Sequence, residues 1–307
     1  MNICVTGGAG FIGSHLVDRL IELGHDVLVI DNLSTGMRSF VHEDAQFVEM
    51  DVRDPKLLSV FEEFKPSIIF HEAAQTMVQS SMENPSYDCD VNLIGLINVL
   101  DACRQVKVEQ FLMPSSAAVY GDLAVLPLTE ELSGMPSSFY GLTKLTAEGY
   151  LRIYREAFGL NTVCFRYSNV YGPRQGDGGE GGVISIFNRL IVEGQPLTVY
   201  GDGEQTRDFI YVDDVVDANI KAMGNSQCSG IYNVSTNKGT SVNELITRFR
   251  VISGVDFMVH YDDERIGDIK HSRLSNLKAE RDFGFTATTT LEEGLQKTLE
   301  YFKAHHK

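Results

Sequence analysis

Tyr140-Gly-Leu-Thr-Lys144 sets a phenol and an ammonium four residues apart, which on a helix puts both side chains on one face about one turn from each other. With 12 tyrosines in the chain, the spacing alone fits a solvated helix face equally well. Ser116 shifts the balance. It lies in Pro114-Ser115-Ser116-Ala117-Ala118-Val119-Tyr120-Gly121, just beyond an apolar run that reads as a sheet strand. A hydroxyl at the carboxyl end of a parallel strand faces the ligand crevice of an open sheet. A free phenol, with a pKa of about 10, is no base at neutral pH, but a neighbouring positive charge favours its ionised form. Ser116, Tyr140 and Lys144 therefore read as one proton-transfer unit acting on a substrate hydroxyl that Ser116 orients.

A second cluster suits an anion. Thr6-Gly7-Gly8-Ala9-Gly10-Phe11-Ile12-Gly13 follows an apolar strand pattern and opens a helix with Phe11, Ile12, Leu16, Val17, Leu20 and Ile21 on one face. Glycines let backbone N–H groups approach a pyrophosphate closely, and the open N–H groups and dipole of a helix start favour negative charge. A purely structural turn would use the same glycines, so the discriminating residue is Asp31. It ends a second strand run 18 residues beyond Gly13, where a carboxylate accepts hydrogen bonds from ribose hydroxyls and repels a 2′-phosphate. NAD is expected rather than NADP, and its positive nicotinamide would add to Lys144 in favouring the phenolate.

These residues need a sheet edge to meet on. Short apolar runs at 3–6, 27–30, 67–70, 109–114 and 161–165 alternate with helical patterns, which predicts a parallel sheet with helices on both faces. Beyond about residue 170 the elements shorten. A glycine-rich stretch at 176–182, an amphipathic segment at 183–192 and a short strand at 197–200 read as a smaller α/β unit. The expected division is 1–170, with 209–235 returning to it, against 171–208 and 236–307. Hydrophobic residues make up 43% of the 307 and the formal charge is −16, so the chain builds a large core and has the wrong sign for a nucleic-acid partner. Five cysteines without CxxC or Cys/His spacing argue against disulfides and against zinc or any other metal. No apolar run of 18 residues and no basic leader pattern occur, so no membrane span or signal peptide is read and a cytoplasmic location is expected.

Taken in order, several motifs carry a resemblance: the TGGAGFIG loop, Asp31-Asn32, Asp51-Val52, His71-Glu-Ala-Ala74, Asn92, Ser115-Ser116, Tyr140/Lys144 and Arg166-Tyr167-Ser168-Asn169. In the second half they continue with Tyr200-Gly-Asp-Gly203, Thr206-Arg207-Asp208-Phe209, Tyr211-Val-Asp-Asp214 and Arg265-Ile-Gly-Asp268. The chain resembles the extended short-chain dehydrogenase/reductases and, among them, the nucleotide-sugar epimerases of the UDP-glucose 4-epimerase type, over almost its whole length. The resemblance implies a Rossmann-type doubly wound parallel sheet with a smaller α/β C-terminal substrate domain. It implies tightly bound NAD held by Gly7, Gly10, Phe11, Ile12, Gly13, Asp31, Asn32 and Ala73, with Asp51 and Val52 at the adenine and Asn92, Tyr140, Lys144 and Tyr167 at the nicotinamide. Ser116 and Tyr140 would meet the sugar, and Asn169, Arg207, Arg265 and Asp268 the nucleoside diphosphate. The implied reaction removes the C4 hydroxyl proton through Tyr140, passes hydride from C4 to NAD, and returns it to the opposite face of a bound 4-keto sugar.

Within the family, dehydratases and decarboxylases carry acids where this chain has Ala117 and Ala118, and eliminating water needs an acid and a base of its own. A C4 epimerase needs neither. Ser272 stands where hexose-restricted epimerases tend to have a bulky aromatic, and Ser168 replaces another, so N-acetylated hexosamines are expected to fit beside glucose and galactose. Uronic acid epimerases, decarboxylases, dehydratases and 4-ketoreductases stay as alternatives, as does an NAD-binding scaffold without chemistry. The resemblance also implies a homodimer, with segments 91–104 and 140–158 pairing as a four-helix bundle. His71 reads as a packing residue, Asp213 and Asp214 as a helix cap, and Arg207 could instead pair with Asp208.

Overall fold

In the computed structural model, which describes residues 1–176, 182–264 and 269–305, β1 (Asn2–Thr6) has Ile3 and Val5 in one core cluster and Cys4 in another, all three fully excluded from water. A strand buried on both faces needs helices on both. The chain supplies them through α1 (Phe11–Glu22), β2 (Asp26–Asp31), β3 (Gln46–Glu49), α2 (Leu57–Phe64), β4 (Ile68–His71), α3 (Val78–Glu83), α4 (Pro85–Cys89), a π-helical turn over Asp90–Gly95, α5 (Leu96–Val106), β5 (Gln110–Ser116), α6 (Phe139–Phe158) and β6 (Asn161–Tyr167). It continues with β7 (Asn169–Tyr171), α7 (Val183–Val192), β8 (Leu197–Tyr200), β9 (Thr206–Arg207), β10 (Phe209–Tyr211), α8 (Val212–Ala222), β11 (Gly230–Val234), β12 (Thr240–Ser241), α9 (Val242–Ser253), β13 (Val259–Asp262), α10 (Leu277–Phe283) and α11 (Leu291–His305).

Seven strands form one parallel sheet in the order β3-β2-β1-β4-β5-β6-β11. The direction of winding reverses between β1 and β4, which opens a crevice at their carboxyl ends. This is the Rossmann-type doubly wound arrangement. On one face Ile3, Val5, Val29, Phe70 and Phe165 pack with Leu16, Val17 and Leu20 of α1 and Val215 and Ala218 of α8. On the other, Cys4, Ile30, Ile69 and Phe111 pack with Phe61 of α2, Val99 and Leu100 of α5, and Ala147 and Leu151 of α6. Each large apolar side chain buried this way contributes roughly 1.5–3 kcal/mol relative to exposure.

The second unit has its own core of Tyr171, Ile184, Phe187, Leu197, Val199, Leu245, Phe249, Leu295 and Leu299, against which Phe11 and Ile12 also pack. The glycine-rich turn before α1 thus lies where the two units join. Two features escape the sequence pattern. β3 is a four-residue edge strand with polar ends, too short to show alternation. The segment around α10 packs into the core of the larger sheet through Ala279 and Phe285. Phe283 stands edge-on to Tyr232 of β11 at 5.2 Å, so this piece of 236–307 sits with the larger unit.

Candidate active site

The sheet register brings the carboxyl ends of the strands together: Thr6 lies beside Ile30 and His71, and Ser116 beside Tyr167. At Thr6 the chain turns through Gly7, whose φ of +72° favours glycine. A Cβ on Gly7 would stand 2.5 Å from the Ala73 nitrogen, and one on Gly13 would stand 2.3 Å from the Gly7 carbonyl oxygen, so both positions exclude a side chain. α1 then starts at Gly10 with no side-chain cap and no acid in its first turn, leaving its leading N–H groups for an anion. The Asp31 carboxylate accepts from the Ala9 N–H (3.0 Å) and the Leu33 N–H (2.8 Å), fixing the loop to the end of β2.

Further along the edge, exposed Asn32 donates to Asp51 (2.8 Å), and Arg53 grips both Asp51 oxygens at 2.8 and 2.7 Å. Those hydrogen bonds hold the Asp51 carboxyl well below the ordinary carboxylate range. Val52 is buried beside it and Ala73 half-buried against Gly7. An open helix start, a cradle that a Cβ would fill and a carboxylate at the second strand end together fit a dinucleotide.

α6 begins at Ser138, whose hydroxyl accepts from the Gly141 N–H (3.1 Å) and so fixes where Tyr140 and Lys144 emerge. The Tyr140 phenol hydrogen-bonds with Ser116, which also accepts from the Ala118 N–H (3.2 Å). The Lys144 Nζ donates to the Pro114 carbonyl (3.1 Å) and lies 5.9 Å from the centre of the Tyr140 ring. The expected lowering of the phenol pKa is not what the protein alone produces. Burial pushes Tyr140 up, against the bond from Ser116, and Asp88 adds to the rise. Lys144 is itself pushed down by burial, with Cys164, Glu72, Asp88 and Glu148 opposing. Desolvation is the largest cause of both shifts.

Asn92 is buried in the π-helical turn, a distortion often found at functional sites. Its amide oxygen accepts from the Gln75 N–H (2.9 Å), and its Nδ2 donates to the Gln75 carbonyl (3.0 Å) and to Asp88 (3.1 Å). Asp88, fully buried, also accepts from Gln75 Nε2 (2.7 Å) and from the Thr143 hydroxyl (2.8 Å). This network ties the loop after β4 to α6 one residue before Lys144, and sequence reasoning missed Asp88 although it precedes Asn92 by one helical turn. A second missed acid is Glu148, one turn beyond Lys144. It takes two bonds from Arg166 (2.9 and 2.7 Å) and one from the Ser115 hydroxyl (2.6 Å). Tyr167 is buried and its hydroxyl accepts from Asn219 Nδ2 (2.7 Å).

Other expected residues fall as follows. His71 joins the ends of β4 and β1 through the Thr6 hydroxyl (2.7 Å), and burial pushes its pKa down to about 3. Asn169 is exposed at the start of β7, its N–H donating to the Asp208 carbonyl (2.8 Å). The Asp208 carboxylate accepts from Thr236 and Leu274. Half-buried Arg207 donates to the Thr206 carbonyl (2.9 Å), and the N–H of buried Ser272 donates to that same carbonyl (3.1 Å). Asn169, Arg207 and Ser272 thus form a strip that the chain connects to Tyr167 through Ser168. Arg265 and Asp268 lie outside the described residues. Asp214 sits in the first turn of α8 and accepts from Thr288 and Thr289, clamping the segment before α11 rather than capping its own helix. Among the described residues no group of three or more His, Cys, Asp or Glu is placed to hold a metal, and no helix is long and apolar enough to cross a membrane.

Residues 3–235 match the NAD dependent epimerase/dehydratase family. A putative UDP-glucose 4-epimerase of Methanocaldococcus jannaschii is 41% identical over 306 residues, covering 99% of each chain. The crystal structure of a Thermotoga maritima UDP-glucose 4-epimerase with UDP-glucose superposes with a TM-score of 0.96 at 40% identity, covering 100% of both chains. A UDP-N-acetylglucosamine 4-epimerase of Methanobrevibacter ruminantium, in complex with UDP-N-acetylmuramic acid, gives 0.93 at 36% identity, covering 99% of this chain and 98% of that one.

Proposed function

The chain belongs to the NAD dependent epimerase/dehydratase family, and from that premise we propose that it is an NAD-dependent isomerase that inverts UDP-sugars at C4. The observation that carries the reading is the meeting of Ser116, Tyr140 and Lys144 at the sheet edge beside the glycine cradle, with alanines at 117 and 118 where an elimination would need acids. NAD, held at the glycine cradle, would supply reversible hydride chemistry at the sugar C4, and its positive ring would favour the Tyr140 phenolate. The protein's part is positional. Tyr140 takes and returns the proton of the C4 hydroxyl, Ser116 holds that hydroxyl in line, and Lys144, anchored on Pro114, keeps a positive charge beside the phenol.

The backbone of Gly7, Gly10, Phe11, Ile12 and Gly13, with Asp31, Asn32, Asp51, Val52 and Ala73, is assigned to the dinucleotide. Asn92 and Tyr167 border its nicotinamide end. Asn169, Arg207, Arg265, Asp268 and Ser272 are assigned to the nucleoside diphosphate and sugar, so that residues 1–170 with 209–235 and the α10 segment form the NAD-binding domain and 171–208 with the rest of 236–307 the substrate domain. Serine at 272 in place of an aromatic leaves room for a C2 acetamido group, and one structural neighbour acts on an N-acetylhexosamine. We therefore expect kcat/KM for UDP-N-acetylglucosamine to lie within about tenfold of that for UDP-glucose. A hundredfold preference for UDP-glucose, measured by NMR of the two product pairs, would remove the acetamido assignment.

A homodimer belongs to the same proposal. Ile94 (53% exposed), Leu142 (48%) and Ile153 (51%) leave apolar side chains in water on the helical run before α5 and on α6, enough to support pairing of these helices with a second copy. Sedimentation of the chain as a monomer at micromolar concentration would contradict it. The five cysteines form no disulfide, which supports a cytoplasmic location.

A further inference from the structure

Three buried donors from three elements meet on Asp88, an acid to which the reading above gives no part. Gln75, in the loop after β4, and Asn92, in the π-helical turn, donate to one of its oxygens (2.7 and 3.1 Å), and Thr143 of α6 donates to the other (2.8 Å). Asp88 is wholly excluded from water, and Gln75, Asn92 and Thr143 are buried around it. A carboxylate suits such a place because both of its oxygens accept and neither has to donate. Removing it would deprive three buried groups of an acceptor that water cannot replace there.

Thr143 lies between Tyr140 and Lys144 on α6. Its hydroxyl is also 3.0 Å from the Tyr140 carbonyl oxygen and 3.4 Å from Asn92 Nδ2. The bond to Asp88 therefore links the turn that carries the phenol and the ammonium to the turn that carries Asn92. Different bonds hold that same part of α6 to the sheet edge: Tyr140 to Ser116, and Lys144 to the Pro114 carbonyl, both on β5. β5 thus sets the pair against the sheet, and Asp88 sets it against the helical run before α5. Transfer of a proton and a hydride at one carbon needs both settings, since a reacting group misplaced by about 1 Å can cost about a hundredfold in rate.

We propose that Asp88 is a positioning residue for the epimerisation: through its hydrogen bonds to Thr143 and Asn92 it holds Tyr140 and Lys144 in register with the residues at the nicotinamide end. The inference rests on the UDP-sugar epimerase reading. Thr143→Val keeps the shape of the side chain and cuts the link to α6, and Asp88→Ala removes the acceptor altogether. Both should lower kcat with UDP-glucose by about ten- to a hundredfold while KM changes by less than about threefold. In the chain without nucleotide or sugar, the amide hydrogens of residues 140–147 should exchange about tenfold faster in both variants. Asp88→Asn should bring both readouts back to within about threefold of the unmodified chain. An amide can turn its oxygen to Gln75 and Asn92 and donate to the Thr143 oxygen, whose hydroxyl then donates to the Tyr140 carbonyl. A kcat of Thr143→Val within about threefold of the unmodified value, or unchanged exchange over 140–147 in that variant, would overturn the proposal, even where Asp88→Ala does not fold. Asp88→Asn as slow as Asp88→Ala would overturn it too, since charge rather than hydrogen bonding would then carry the effect. Absence of epimerisation by the unmodified chain would overturn the UDP-sugar reading and this inference with it.

Discussion

Tyr140→Phe is expected to lower kcat by about 10²- to 10⁴-fold, the range contributed by a positioned acid–base group, in a chain that folds and holds NAD as before. The substitution removes one oxygen whose protein partner is Ser116. It leaves the Tyr140 N–H bonded to the Ser81 hydroxyl (3.1 Å) and the Ser138 cap intact, so α6 keeps its start. The pH profile carries the sign. Burial raises the phenol, so the reactive phenolate gains population as pH rises, and kcat/KM should climb with pH in the unmodified enzyme. That ascending limb should vanish in Tyr140→Phe. Steady-state rates across pH 6 to 9, with circular dichroism as the folding control, check both; a variant retaining more than a tenth of the rate would remove Tyr140 from the chemistry.

Arg166→Met should destabilise the fold by about 3–5 kcal/mol, the usual cost of breaking a buried ion pair from one side. The side chains of Arg166 and Glu148 are 4% and 3% exposed, and two parallel hydrogen bonds join them. Removing the guanidinium leaves the Glu148 carboxylate with Ser115 as its remaining donor in a site closed to water. It also strips the cation from the Tyr120 ring, 4.6 Å away. Replacing both members of the pair, as in Arg166→Met with Glu148→Leu, should recover part of the loss, because the cost lies mainly in the unpaired charge. Urea denaturation midpoints of the two variants test this. Equal losses in both would mean that packing of the arginine stem, rather than its charge, holds the strand end.

Much of this is legible in the sequence. Apolar runs such as Ile3 to Thr6 announce a strand buried on both faces, and the glycine turn followed by Asp31 at the next strand end announces the crevice. Ser116, Tyr140 and Lys144 could be grouped because strand end and helix phase are local properties. What stayed hidden depends on partners distant in sequence. Asp88 looks like a surface acid until Gln75, Asn92 and Thr143 close around it. Glu148 gains its meaning from Arg166 on the neighbouring strand. The upward shift of Tyr140 in the protein without NAD is hidden for the same reason: sequence supplies the ammonium nearby but not the depth at which both groups sit. Packing of α10 against β11 was likewise invisible, since Phe283 and Phe285 announce burial without saying in which unit.

The central claim is that hydrogen leaves the sugar C4 and returns to that same carbon within one site. UDP-galactose deuterated at C4, incubated with the enzyme in ordinary water without added NADH, reports on this directly by NMR. The account predicts UDP-glucose that keeps its deuterium at C4. Loss of the label to water would contradict it, because the C4 hydrogen would then have left as an exchangeable proton.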